Sequence, residues 1–570
     1  MVDKSRRSVA QAYLQHLAAR GVDYVFGNGG TDFAPIAEAV ALARLSGSKI
    51  PVPVTVPHEN VAMGMAYGYT LVTGRPQAVM VHVGVGTANC VNNVYNAHRQ
   101  RIPILLTAGR TPVLESGQLG SRNNFINWAQ EMFDQAGMLR ELVKWDYELR
   151  RPEQVYTVVD RALSLLKSEP QGPVYLTLPR EVLAAEMPEE NVVAQPISAA
   201  TPPHGDPEAL QKVATLLRNA QNPLIITQDV GRTERGFAAL SELAEAFAIP
   251  VVEYRPRYAS IPTSHPMHSG WDPNALLPSA DVVLVLEADV PWIPGQVQPR
   301  QGATVIHIGI DPLYANYPIR GFRADISIMA EPAAALQTLH NMMGQLTDVE
   351  RRVRDQRYVR ISNDHQTRVK ERGLLDLKGM TAAWLSRCIN AVRDDDTVLV
   401  NEYPLVLEEL THTNYGTFFS HSPAGGLGWA TGAALGIKLA NKEKTVIATV
   451  GDGAYMFGNP TPTHMVSRMM ELPILWIVYN NRRWAAVHRA TMSLYPDGAA
   501  SKASEDPPFA NLGPETDYEK IVEACGGYGE RIDRPEQLPD ALQRALHILR
   551  TEKRQVLLNV IADISYDRTS

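Results

Sequence analysis

Two apolar runs in the last third of the chain end in polar residues whose types and spacing could do chemistry. Val446–Val450 is a largely β-branched run that stops at Gly451-Asp452-Gly453, and Ile474–Tyr479 stops at Asn480-Asn481. Between them lies a helix-like stretch with apolar residues at Met465, Val466, Met469 and Met470. The order is strand, tight turn, helix, strand. Open α/β sheets bind their ligands at the carboxyl ends of strands. Asp452 and Asn481 stand at two such ends, 29 residues apart. A carboxylate and an amide oxygen are hard ligands, suited to a Mg²⁺ ion that in turn holds a diphosphate. Taken alone, Asp452 reads as well as an Asx-type turn residue.

Two further candidates lie far upstream. Glu59 closes the strand Val52–Val56 in the sequence Pro57-His58-Glu59, ahead of an Ala-, Gly- and Met-rich segment, Asn60–Leu71, that reads as a buried helix. Desolvation of a carboxyl group in an apolar cleft favours its protonated form, which suits a proton relay. His82 ends the strand Ala78–Val83, 23 residues after Glu59. An imidazole there could shuttle protons near neutral pH, or serve as an ordinary hydrogen-bonded structural histidine. In the tail of the Asn pair, His488 and Arg489 could meet an anion or face solvent, while Ala486 and Ala490 are small and leave room.

These residues need a scaffold of strand ends. Short apolar strands alternate with helical patterns from the amphipathic Ser8–Ala19 onward, with strands at 23–26, 52–56, 78–83, 104–108 and 174–178. That alternation predicts an α/β fold of three doubly wound parallel-sheet domains. The Pro-, Ala- and Glu-rich stretch Glu186–Pro207 reads as a linker, and TDVERRVRDQRYVRISNDHQTRVKERG (347–373) as a solvated helix and connection. The predicted boundaries are 1–186, 187–346, a charged connection over 347–379, and 380–570. At 570 residues, three domains fit. A net charge of −7 without a basic stripe argues against nucleic acid. Three scattered cysteines, Cys90, Cys388 and Cys525, form neither a metal motif nor a disulfide framework. With no long apolar run and no signal-like N-terminus, no membrane association and a cytoplasmic location are expected. Gln228-Asp229-Val230-Gly231-Arg232 is no GxGxxG loop and gives no ground for a bound nucleotide.

The GDG, the roughly thirty residues after it and the NN resemble the thiamine-diphosphate motif. The chain is similar, over nearly its whole length, to the family of thiamine-diphosphate decarboxylases and carboligases that includes acetolactate synthase and benzoylformate decarboxylase. The resemblance implies pyrimidine-binding, middle and diphosphate-binding domains, in that order. It implies Mg²⁺ on Asp452, Asn481 and the backbone carbonyl of Arg483, with Gly453, Ala454 and Trp484 at the cofactor. Ala454 replaces the Ser or Thr common after GDG. Ala424-Gly425-Gly426-Leu427-Gly428-Trp429 resembles the segment whose glycines approach the pyrimidine, with Leu427 as the wedge that bends the cofactor, unless Leu427 is plain core. Glu59 would share a proton with the pyrimidine so that the cofactor can release its C2 proton. His82 falls on an active-site His of benzoylformate decarboxylase. FGNGGTDF resembles that enzyme's FGNPGS turn, which gives Asn28 a cofactor or substrate contact and Thr31 a substrate contact. The insertion Ser121–Gln135 would bring Asn127 or Gln130 to the pocket, or form an interface helix.

One stretch departs from the pattern. The chain reads EADVPWIPG where that decarboxylase carries a second active-site His, with Pro294 in its place and Trp292 nearby as a pocket residue. The expected activity is non-oxidative cleavage or formation of a C–C bond beside a carbonyl. Decarboxylation of a 2-oxo acid stands first, carboligation to an acyloin or acetohydroxy acid second, and lysis of a 2-hydroxyacyl-CoA third. An aldehyde is a product or co-substrate of this chemistry. A silent homologue acting as a binding subunit is the rival, opposed by the joint presence of Glu59, Asp452 and Asn481. A homodimer or homotetramer is expected, with sites shared between subunits.

Overall fold

The computed structural model describes residues 7–187, 196–503 and 506–562. Most of the Glu186–Pro207 linker's first half therefore lies outside the described residues. Seventeen strands are among those described. In the first sheet β1 (Tyr24–Asn28), β2 (Val52–Thr55), β3 (Ala78–Val81), β4 (Leu105–Arg110), β5 (Asp146–Glu148) and β6 (Val174–Pro179) run parallel in the order β2-β1-β3-β4-β6-β5. The second holds β7 (Pro223–Thr227), β8 (Val251–Glu253), β9 (Val282–Leu286), β10 (Thr304–Gly309) and β11 (Ile326–Met329), ordered β11-β10-β9-β7-β8. The third is built from β12 (Val398–Glu402), β13 (Phe418–Ser420), β14 (Val446–Gly451), β15 (Leu475–Asn480), β16 (Tyr528–Ile532) and β17 (Val556–Ile561). The central strands β3, β6, β7, β9, β12 and β15 are buried along their whole length, as expected of parallel strands covered by helices on both faces.

The chain forms two compact units. One takes residues up to Ala200 with His421–Ile532 and Arg544–Ile561, and the other takes Thr201–Ser420 with Asp533–Gln543. Inside the first unit, β14-β15-β17-β16 repeats the strand order β3-β4-β6-β5, a duplication invisible in the letters. Its two most closely packed helices are Glu59–Thr73 and Trp429–Ala440. A Cβ on Gly64 would stand 2.8 Å from Gly432 Cα, and one on Gly68 only 2.0 Å from the Ala433 carbonyl oxygen. These two helices meet backbone to backbone, which explains why both sequences are so rich in Gly and Ala.

Two expectations need correction. After Gly451 the chain makes two helices, Asp452–Phe457 and Pro460–Met469, and the second buries Thr463, His464, Val466 and Ser467. Met465 and Met469, read as its apolar face, are exposed. His464 takes the interior place because both its ring nitrogens are satisfied, by Tyr455 Oη at 2.7 Å and Gln555 Oε1 at 2.8 Å. The charged run forms one helix, Asp348–Gly373, that is not solvated all round: Arg357, Ile361 and His365 are buried. The Arg357 guanidinium donates to the carbonyls of Phe247 and Ala248, at 2.7 and 2.8 Å. Those are carbonyls at the end of the Glu234–Phe247 helix, which lack partners within the helix.

Candidate active site

The register of β14 and β15, with Gly451 opposite Tyr479, carries Asp452 and Asn481 out of the same sheet edge. Asp452 is 3% exposed. Its Oδ1 accepts the Gly453 amide at 2.9 Å, while Oδ2 is buried with no hydrogen-bond partner among the described residues. Burial pushes this carboxyl up to about 6, against the pull of the Gly453 and Arg482 amides. A buried carboxylate oxygen without a donor is what a hard cation would satisfy. Of the Asn pair, Asn480 is tied to Asn559 at 3.1 Å, while Asn481 closes a turn by accepting the Arg483 amide at 3.1 Å. Arg482 has a left-handed backbone, φ +56°, and this swings the chain past the strand end. The Arg483 carbonyl accepts Ala485 N–H at 3.1 Å and keeps a second lone pair for a ligand.

The second glycine of GDG has a packing reason. A Cβ on Gly453 would lie 2.1 Å from Trp484 Cζ3, so the indole rests directly on the Gly453 backbone. Ala454 is buried beside it. The loop expected to approach the pyrimidine is held in place by asparagines. Asn92 donates to the Leu427 carbonyl at 2.8 Å, and Asn96 exchanges two hydrogen bonds with the Gly426 backbone, at 2.8 and 3.1 Å. Gly425 and Gly428 have φ of +67° and +82°, where glycine is favoured. Leu427 is only half-buried, so it is not ordinary core.

Glu59 opens its helix and is 6% exposed. Asn89 donates to its Oε2 at 3.0 Å. His58 proves to be a cap, its Nδ1 accepting the Asn60 amide at 3.1 Å. His82 is oriented from both sides: Asp32 Oδ1 lies 2.5 Å from Nδ1, and Gln130 Nε2 lies 3.1 Å from Nε2. The hydrogen bond to Asp32 raises the His82 pKa above its ordinary 6.5, against the opposing effect of burial. Gln130 thus reaches the histidine. Asn127 instead closes its own turn, accepting the amides of Asn123 and Asn124.

The remaining expected pocket residues differ in burial. Asn28 ends β1 half-buried, Thr31 is exposed at the start of the next turn, and Ala486 and Ala490 are exposed on the helix Ala485–Leu494. His488 corrects the solvent alternative: it is buried, 4.0 Å from Asp506, which also pairs with Arg483 at 3.4 Å. Trp292, expected at the pocket, lies in the second unit. It is 2% exposed and packs edge-on to Phe322 in the apolar cluster of the second unit. Sequence reasoning did not single out Asp32, Asn89, Asn92 or Asn96. The asparagines carried a signal: with Asn93, they recur at the i, i+3, i+4, i+7 spacing of one helix face.

The chain belongs to the thiamine pyrophosphate enzymes: residues 7–138 match the family's N-terminal TPP binding domain, 210–339 its central domain and 404–560 its C-terminal TPP binding domain. It is a thiamine-diphosphate-dependent enzyme. Over 98% of its length it is 24% identical to the acetolactate synthase isozyme 3 large subunit of Escherichia coli (strain K12), covering 95% of that protein. Over 84% of its length it is 26% identical to benzoylformate decarboxylase of Pseudomonas aeruginosa, covering 87%. Its fold is similar to the thiamine diphosphate-dependent 4-hydroxybenzoylformate decarboxylase of Rhodococcus jostii RHA1, with a TM-score of 0.78, 23% identity, and 98% and 100% of the two chains covered.

Proposed function

We propose that this enzyme decarboxylates a 2-oxo acid to an aldehyde, using thiamine diphosphate anchored by Mg²⁺ on Asp452, Asn481 and the Arg483 carbonyl. The observation that carries the reading is His82, half-buried near the relay carboxylate Glu59 and held at both ring nitrogens. Bound thiamine diphosphate supplies a nucleophilic carbon and an electron sink. Glu59 holds and moves a proton at its carboxyl oxygens, with Asn89 fixing the orientation of the group. His82 delivers or accepts a proton at Nε2. Asp452 offers its unpartnered oxygen to the metal. The site is completed in an oligomer, where Glu59 of one subunit faces Asp452 of another.

Carboligation is the second reading, favoured by the absence of any histidine in the Glu287–Gly295 stretch. An acyl-CoA substrate is opposed by the second unit itself. Arg257 bridges Asp229 and Asp289 at the carboxyl ends of β7 and β9, and Tyr317 and Arg320 add hydrogen bonds at 2.8 Å. These bonds engage polar side chains at the strand ends where an open sheet would take a nucleotide. The test is a panel of 2-oxo acids and 2-hydroxyacyl-CoAs, with CO₂, aldehyde and formyl-CoA followed together. Release of CO₂ and aldehyde in equal amounts supports decarboxylation. A C–C-coupled product formed from two 2-oxo acids, or from a 2-oxo acid and an aldehyde, would move the assignment to carboligase, and formyl-CoA would move it to lyase. Failure of the apoprotein to bind thiamine diphosphate with Mg²⁺ would remove the reading altogether.

A further inference from the structure

Resting on the role of His82 proposed above, we infer that Asp32 is a positioning residue: it fixes the tautomer of His82, holds the proton on Nδ1 and leaves Nε2 as the atom that exchanges a proton with the reactants.

The local backbone is shaped around this pair. A Cβ on Gly30 would stand 2.2 Å from His82 Nδ1, and one on Gly109 would stand 1.7 Å from Asp32 Oδ2. Both glycines are therefore the space the pair occupies. Asp32 is 3% exposed, and its Oδ2 also accepts the Val83 amide at 3.2 Å. Val83 has φ +30°, in the left-handed region that a β-branched residue rarely adopts. Strain of this kind persists where surrounding contacts over-determine the backbone, and here it falls on the residue that follows His82.

Gln130 suits both protonation states of the ring. With Nε2 deprotonated, the Gln130 amide donates to it; its Oε1 is buried with no hydrogen-bond partner among the described residues. Turned by half a rotation, the same amide accepts from a protonated Nε2. The charged groups facing His82 are Asp32 from the turn after β1 and Glu59 from its helix, both favouring imidazolium. Arg110, nearby, is neutralised by Glu131 at 2.8 Å and Glu148 at 3.0 Å. Arg180 is spent on the Gly120 and Ser121 carbonyls at 2.8 and 2.6 Å.

The experiment is an NMR titration of ¹³C-labelled histidines in the full-length protein, with the His82 signal assigned by its loss in His82→Ala. Wild-type His82 should titrate above the ordinary imidazole value of about 6.5. Asp32→Asn should lower the midpoint by about one pH unit or more, and Asp32→Glu should largely restore it. In turnover, Asp32→Asn should lower kcat by about tenfold or more, with KM changed by less than about threefold. The alkaline limb should move to lower pH by the amount seen in the titration. In a His82→Ala background Asp32→Asn should add nothing. An unchanged His82 midpoint in Asp32→Asn overturns the inference. If that variant does not fold, a wild-type midpoint at or below 6.5 overturns it and a higher one supports it. Absence of turnover on every substrate counts against the proposed function, while the titration still decides the role of Asp32 independently.

Discussion

Glu59 and Asp452 are almost equally buried, yet their partners assign them different work. Among the described residues, Glu59 has one side-chain donor, Asn89, and Asp452 keeps one oxygen with none. A carboxyl group with a fixed orientation suits the proposed relay; a desolvated oxygen without a donor suits the proposed metal ligand. Glu59→Gln keeps shape and removes the exchangeable proton. It should leave the Kd for thiamine diphosphate within about threefold and slow C2 proton exchange by about 10²-fold or more, followed by ¹H NMR in D₂O; wild-type exchange in the variant refutes the relay. Asp452→Ala should abolish Mg²⁺-dependent cofactor binding, read as loss of the cofactor's effect on tryptophan fluorescence or on Tm. Both residues were singled out in the sequence because each follows an apolar strand and because GDG…NN and Pro57-His58-Glu59 resemble the family's pattern. Asp32 was not, since one step from Thr31 it reads as a turn residue, and nothing local says that the chain will place it 2.5 Å from His82, fifty residues on. Trp292 was named for its place beside Pro294, where the related decarboxylase carries its second histidine, and the structure packs it edge-on to Phe322.

Strands were the readiest elements to find, because buried parallel strands are continuous apolar runs of β-branched residues. Helix faces were harder. Met465 and Met469 have the right spacing for a buried stripe, but the buried face is built from His464, Thr463 and Ser467, polar groups satisfied by hydrogen bonds to Tyr455, Gln555, the Gly458 carbonyl and the Leu472 carbonyl. Periodicity finds apolarity, not satisfied polarity. The crossing of Glu59–Thr73 with Trp429–Ala440 was legible only as composition. Its consequence is quantitative. A methyl group at Gly68 would need the Ala433 backbone to move by more than an ångström, and overpacking of this kind costs about 2–3 kcal/mol. Gly74, at the end of the same helix, has φ +65° and open space around it, so an added methyl meets only left-handed strain, about 1 kcal/mol. Urea unfolding should therefore rank Gly68→Ala well below Gly74→Ala. Because Glu59 stands at the head of the same helix, Gly68→Ala should also lower activity; equal stability of the two variants would mean that the helices separate without cost.

At the scale of the whole molecule, both units bury histidines that must stay neutral. In the first unit burial holds His464 down at about 4, with only Gln555 pulling the other way. In the second, burial and the Arg320 charge hold His307 at about 4, and His412, walled in beside Phe418, is held well below 6.5. Each of these folded-state values lies under the unfolded value of 6.5. As pH falls through 6.5 the unfolded chain takes up the proton first, so the stabilisation present above 6.5 is lost progressively towards about 4. His82 works in the opposite sense: its raised value contributes stability that is present below 6.5 and lost as pH rises. Asp452, its carboxyl pushed up to about 6, works in the same sense as His82, but two such groups do not offset three. For His464 and His307 the loss is about 1.4 kcal/mol each for every pH unit below 6.5. The urea midpoint should therefore fall steadily between pH 7 and pH 5, and His464→Gln, which cannot take up a proton, should be less stable at pH 7 yet show a shallower fall. A midpoint flat over that range would mean that the interior admits the charge, by water or by rearrangement around His464 and His307.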